Sequence, residues 1–152
     1  MSHKFHDLTL TPSAKSTQEH YGTRRNYARF EGGEPDFRGL SDAENDFIEA
    51  RDGFYMATVS EDGQPYIQFR SGPSGFLKVL DDRTLGFADF RGNLQYISVG
   101  NLKENDKAAI FLMDYSNQTR QKLLVRIEVK DAKEIPVVVE ELTIPDYRAK
   151  IE

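Results

Sequence analysis

The apolar positions of the chain change period once, near Gly53. Before that point they are sparse and spaced for helices. After it they alternate with polar positions, which sends successive side chains to opposite faces of an extended strand. Alternation over residues 54–59, 66–70, 76–80, 84–88, 108–114 and 120–129 predicts six strands, enough for a small barrel. The links Glu61-Asp62-Gly63 and Asp81-Asp82-Arg83 are too short for a parallel crossover, so these neighbours are expected to be antiparallel. One link is different. Residues 93–101 carry a helical pattern in which Leu94, Ile97 and Leu102 can share a face, although Gly100 weakens its end.

Upstream, residues 1–40 form a polar arm. Thr11 followed by Pro12 predicts a helix start, because Thr caps open N–H groups and Pro suits the first turn. Gly32, Gly33, Pro35 and Gly39 then interrupt any regular pattern. Ser41 and Glu44 have the spacing of a capping box, opening a helix that turns Phe47 and Ile48 inward and stops at Gly53. Pro136 closes the last strand, and 137–142 fits either helix or strand. The predicted organisation is an arm, 1–40, and one mainly β domain with flanking helices, 41–152.

Composition narrows the function classes. A chain of 152 residues, 38% hydrophobic and 11% aromatic, suits one ordinary globular domain. With no Cys, disulfides, thiolate metal sites, iron–sulfur clusters and Cys nucleophiles are excluded, which suits a reducing compartment and a cytoplasmic location. No apolar run is long enough to span a bilayer, and the first residues lack a signal-peptide core, so neither membrane nor export is expected. A net charge of -5 argues against a nucleic-acid surface, which needs clustered Lys and Arg. Any bound anion should be small and locally caged.

The candidate chemistry lies between Gln64 and Tyr115. Gln68 and Arg70 fall on one face of their strand, Phe76, Lys78 and Leu80 on one face of the next, and Arg120, Lys122 and Leu124 on one face of the last. Half-buried cations in an acidic protein call for an anionic partner, and a phosphate would serve. After Asp89, the loop Arg91-Gly92-Asn93 leads into the predicted helix. There Asn93 sits where free N–H groups favour an anion, Gly92 allows close approach, and Arg91 can add a forked contact. The same residues also suit a plain turn, a helix cap and solvated strand faces, so the pattern alone leaves both readings open.

Other features favour ordinary roles. His3 and His6 have a metal-compatible spacing but no carboxylate pair beside them, and are expected to be solvated. His20 and Tyr21 are expected on a helix surface. Ser74 lacks a nucleophile-elbow context and an activating His, and the glycines form no dinucleotide or phosphate-loop fingerprint. Asp81, Asp82, Glu104 and Asp106 mark turns, while Tyr96 and Tyr115 are expected to fill the core rather than stack on a ring.

The run from Gln64 to Leu102, together with Phe54-Tyr-Met-Ala-Thr-Val59 and Ile110-Phe-Leu-Met-Asp-Tyr115, resembles the pyridoxamine 5′-phosphate oxidase-related, FMN-binding split-barrel proteins. The resemblance implies a six-stranded antiparallel split barrel, a homodimer, and FMN in a cleft at the dimer interface. Matching phosphate-holding positions are Arg70 and Ser71, then Arg91, Gly92 and Asn93, with Gln68, Lys78 and Asp89 as neighbours. Gln118, Arg120 and Lys122 would reach the neighbouring protomer's flavin. The Ser-Arg-Lys signature of the oxidase proper is missing at the helix entry, which argues against pyridoxamine phosphate as substrate. The chain also ends at Glu152, short of a further strand expected from the resemblance, which points to a shortened chain or an altered site. The expectation is an FMN-dependent oxidoreductase acting on a small molecule, with NAD(P)H as a candidate electron partner. A flavin carrier without turnover is the alternative. Haem or deazaflavin binding is a third possibility within the same fold family, and haem is disfavoured because the available His residues lie outside the barrel.

Overall fold

The computed structural model describes residues 3–31, 39–89, 93–135, 137 and 142. The chain divides into two compact units, Met1–Gly39 and Leu40–Glu152.

The first unit is helical, with α1 (His3–Thr9), α2 (Pro12–His20) and α3 (Arg24–Ala28). The Thr11 side chain accepts a hydrogen bond from the Ala14 N–H, and Pro12 opens α2, as the sequence predicts. Neither α2 nor α3 buries a described residue. Lys15 and Arg24 each approach the Glu31 carboxylate at 2.6 Å, and their hydrogen bonds keep that carboxyl below its usual range. His6 is not a solvated side chain. It is half-buried and stacks on Phe30, with ring centroids 4.9 Å apart.

The second unit opens with α4 (Asp42–Glu49), and its capping box is complete: the Glu44 N–H donates to the Ser41 hydroxyl while the Ser41 N–H donates to the Glu44 carboxylate. Ile48 is fully buried and Phe47 packs beside it, but the helix ends at Ala50 and Gly53 opens a strand instead. The strands are β1 (Gly53–Val59), β2 (Pro65–Ser71), β3 (Lys78–Val79), β4 (Leu85–Gly86), β5 (Lys107–Asp114) and β6 (Thr119–Arg126). All their pairings are antiparallel. The fold is therefore mainly β with flanking helices, and its strands are split. A four-stranded sheet runs β2-β1-β5-β6, and β3-β4 form a separate ribbon, so the described strands do not close into one ring.

The ribbon is shorter than the sequence suggests because consecutive residues Phe76 and Leu77 are both buried, at 2% and 1% exposure, which strict alternation would forbid. Phe54, Met56, Phe76, Leu77, Ile110 and Leu112 form the core with Ile48, and Leu123 and Val125 pack against it. Helix α5 (Ile97–Glu104) lies between β4 and β5 and buries Ser98 and Leu102. It begins later than residue 93. Asn93 spends its carboxamide oxygen on the Gln95 N–H, and Leu94 and Tyr96 adopt left-handed backbone angles (φ 61° and 49°) that break a helix. The expected Leu94, Ile97, Leu102 face is thus not formed, since Leu94 and Ile97 are exposed. Only Val137 and Leu142 of the 137–142 stretch are described, and both are helical.

Candidate functional site

Strand β2 is an edge of the four-stranded sheet, and its exposure alternates residue by residue. Tyr66, Gln68 and Arg70 stand opposite Thr58, Met56 and Phe54 on β1, which are all buried, so these three polar side chains lie on the core side. There they meet α5 and the segment after β4 across a shallow cleft that is open to solvent. Asp89, Asn93 and Ser98 complete its polar wall, and Leu94, Tyr96 and Ile97 form an apolar rim.

The wall is a connected network. The Ser98 hydroxyl donates to Gln68 Oε1 at 3.0 Å, and Arg70 Nη2 donates to the same oxygen at 3.2 Å. Arg70 Nη1 forms an ion pair with the Asp89 carboxylate, and its guanidinium lies over the Phe87 ring at 5.5 Å from the centroid. Arg70 is only 13% exposed, and its Nε is buried with no acceptor among the described residues. Nearby, Asn101 Nδ2 donates to the buried Thr58 hydroxyl at 3.0 Å and ties α5 to β1. A guanidinium held in place with a spare N–H can recognise an oxyanion beside an apolar surface.

Of the residues expected at an anion site, the structure brings Gln68, Arg70, Asp89 and Asn93 together. Arg91 and Gly92 lie outside the described residues. Ser71 falls on the opposite face of β2 and is exposed, because it is one residue out of phase with Arg70. Lys78 sits on β3 and does not line the cleft. Gln118 takes a left-handed conformation (φ 53°) in the β5–β6 turn, and Arg120 and Lys122 project from the exposed face of β6, at the far edge of the sheet from β2. Lys122 packs its ammonium over Phe111, 5.8 Å from the ring centroid.

Tyr96 and Tyr115 are not core residues. They are 54% and 67% exposed; Tyr96 rims the cleft, and the Tyr115 hydroxyl lies 3.0 Å from that of Tyr55. Ser98 is the cleft residue that sequence patterning missed. Its spacing of four from Leu102 marks both as one helix face, a signal that the more apolar Leu94 and Ile97 obscured. Asp81 is a turn residue as expected: the Arg83 N–H donates to it and lowers its pKa. Among the described residues no cluster of His, Asp and Glu could hold a metal ion, and no helix is long and apolar enough to cross a membrane.

Solved structures with a similar backbone include a HupZ variant from Group A Streptococcus, with 20% identity over 56% of this chain and a TM-score of 0.46. A protein assigned as pyridoxamine 5′-phosphate oxidase from Lactobacillus delbrueckii is 23% identical over 65% of this chain and 79% of its own, with a TM-score of 0.49. A pyridoxinephosphate oxidase family protein from Clostridium acetobutylicum is 20% identical over 68% of this chain and 66% of its own, with a TM-score of 0.42. This chain spans 65% of the HupZ variant. No curated protein matches the sequence. The sequence model of pyridoxamine 5′-phosphate oxidase matches residues 40–142, a stretch that contains β1 to β6, α5 and the whole cleft between them. By that match over most of its length, the chain belongs to the pyridoxamine 5′-phosphate oxidase family.

Proposed function

We propose that the chain binds FMN without a covalent bond in the cleft between β2 and α5 and acts as an oxidoreductase on a small molecule. The observation that carries this reading is Arg70, a cation 13% exposed whose Nε has no acceptor among the described residues, set beside the apolar rim of Leu94, Tyr96 and Ile97. A phosphate at Arg70 and a flat apolar ring against that rim match the two halves of FMN. When bound, the flavin supplies the electron-accepting chemistry. Gln68 and Ser98 hold Arg70 in orientation, and Arg70 supplies positive charge. No side chain is assigned as a general acid or base.

The exposed face of the sheet supports a homodimer as part of the same proposal. Ile67 and Phe69, at 64% and 54% exposure, stand opposite Ala57 and Tyr55, which in turn face Ala109 and Phe111. Leu124, 42% exposed, extends this apolar strip, and Arg120 and Lys122 flank it on β6. A second copy covering the strip would bring those two cations within a partner's reach. A flavin carrier without turnover uses the same residues, and reduction by NADH or NADPH separates the two.

The test is a titration with FMN and riboflavin, read by flavin fluorescence and melting temperature. FMN is expected to bind at micromolar concentration or tighter and to raise the melting temperature, since a ligand of the native state stabilises it. Arg70→Ala should weaken FMN by roughly 1.5–3 kcal/mol, the worth of a charge-assisted hydrogen bond, and riboflavin by less. Absence of FMN binding removes the proposal, and equal loss of both ligands would remove the phosphate role of Arg70.

A further inference from the structure

Within that cleft the Arg70 charge is already taken. The Asp89 carboxylate occupies Nη1, the Gln68 carboxamide occupies Nη2, and Nε is left without an acceptor among the described residues. The two partners are not equally free to move. Gln68 is on a strand and is itself held by the Ser98 hydroxyl, whereas Asp89 lies beyond the end of β4, in neither helix nor strand, and is 38% exposed against 13% for Arg70. The carboxylate is therefore the partner that can leave while the guanidinium stays.

We infer that Asp89 is an internal counter-anion which an entering ligand must displace from Arg70, and that it sets the charge a ligand needs in order to bind. This rests on the reading of the cleft as an anion site. A ligand carboxylate that replaces the Asp89 carboxylate exchanges one single charge for another and gains little. A phosphate monoester carries a charge of about -1.5 to -2 at neutral pH, so at the Nη1 that Asp89 vacates it places more negative charge than the carboxylate it replaces. A neutral ligand has nothing with which to replace Asp89. The ion pair thus favours phosphate esters over carboxylates, a selectivity that Arg70 alone does not provide.

Asp89→Asn keeps the shape and removes the competing charge. Inorganic phosphate and acetate are titrated into the unmodified chain and into Asp89→Asn by calorimetry, with FMN and riboflavin in parallel, after circular dichroism shows that both forms are folded. Phosphate and FMN are expected to bind the variant about tenfold more tightly or better, the worth of one charge-assisted contact. Riboflavin should be unchanged, and acetate should become a measurable ligand. Phosphate affinity that is unchanged or lower in the variant overturns the inference, as does absence of phosphate binding to both forms. If the variant does not fold, the unmodified chain still decides: the Asp89 carboxyl carbon resonance must move as phosphate saturates the site, and a stationary resonance at saturation overturns displacement. Phosphate contains no flavin, so this arm is independent of the cofactor. Tighter phosphate binding without FMN binding removes the FMN reading alone, whereas FMN binding with no gain in Asp89→Asn removes the counter-anion alone.

Discussion

Asp114 shows how strongly single side chains are tied down away from the cleft. At the end of β5 it accepts from the Asn117 side chain at 2.9 Å and the Asn117 N–H at 3.0 Å, and it meets Arg51 at 2.9 Å. These contacts, led by Asn117, hold its carboxyl at about 2 instead of the ordinary 3.8. Because the folded-state pKa is depressed, the charged form stabilises the fold above the ordinary value. That contribution is lost as pH falls from about 4 towards 2. Asp114→Asn should therefore flatten the acid limb of a melting-temperature profile in that window, and an unchanged limb would show that other groups control it. Gln68 and Arg70 were legible in the sequence because an edge strand with period two assigns its faces without further knowledge. Ser98 was not, since a buried hydroxyl in a short helix looks like any surface Ser until its acceptor, Gln68, thirty residues away, is in place.

At the scale of elements, the turn between β2 and β3 is set by space. A methyl group added at Gly72 would lie 2.7 Å from Phe76 Cγ and 2.9 Å from its Cβ. Phe76 cannot yield, because it is 2% exposed and stacked on Phe54 with centroids 5.6 Å apart. Gly72→Ala should cost roughly 1–3 kcal/mol, the range for overpacking a core, read as a lower urea midpoint with an unchanged slope. A midpoint equal to that of the unmodified chain would mean that the turn relaxes freely. The capping box of α4 was legible because it rests on local chemistry, strand β2 because its faces alternate, and β1 and β5 because they are short, near-continuous apolar runs. The start of α5 was not. Helical spacing extends back to Leu94, but the left-handed backbone at Leu94 and Tyr96 belongs to a loop shaped by its surroundings, and such strain is frequent beside ligand sites.

For the whole molecule, antiparallel topology could be read from the short links, whereas the split into a four-stranded sheet and a two-stranded ribbon depends on core packing around Phe76 and Leu77. The proposed dimer has a direct test. Sedimentation of the unmodified chain is expected to give twice the monomer mass, and Ile67→Lys, placed at a side chain 64% exposed, should yield a folded monomer. A monomer that binds FMN tightly would contradict a shared interface. The order of strands also bears on how the cleft comes into being. β1–β2 and β5–β6 are hairpins that zip between neighbours in sequence, but β1 and β5 meet with Tyr55 opposite Phe111, and α5 lies within the long loop which that seam closes. Closing such a loop is the slow, entropically costly event. Inside that loop α5 is tied to β1 through Asn101 and Thr58 and to β2 through Ser98 and Gln68, so a ligand bound against this wall would add to the contacts that hold the closed loop together.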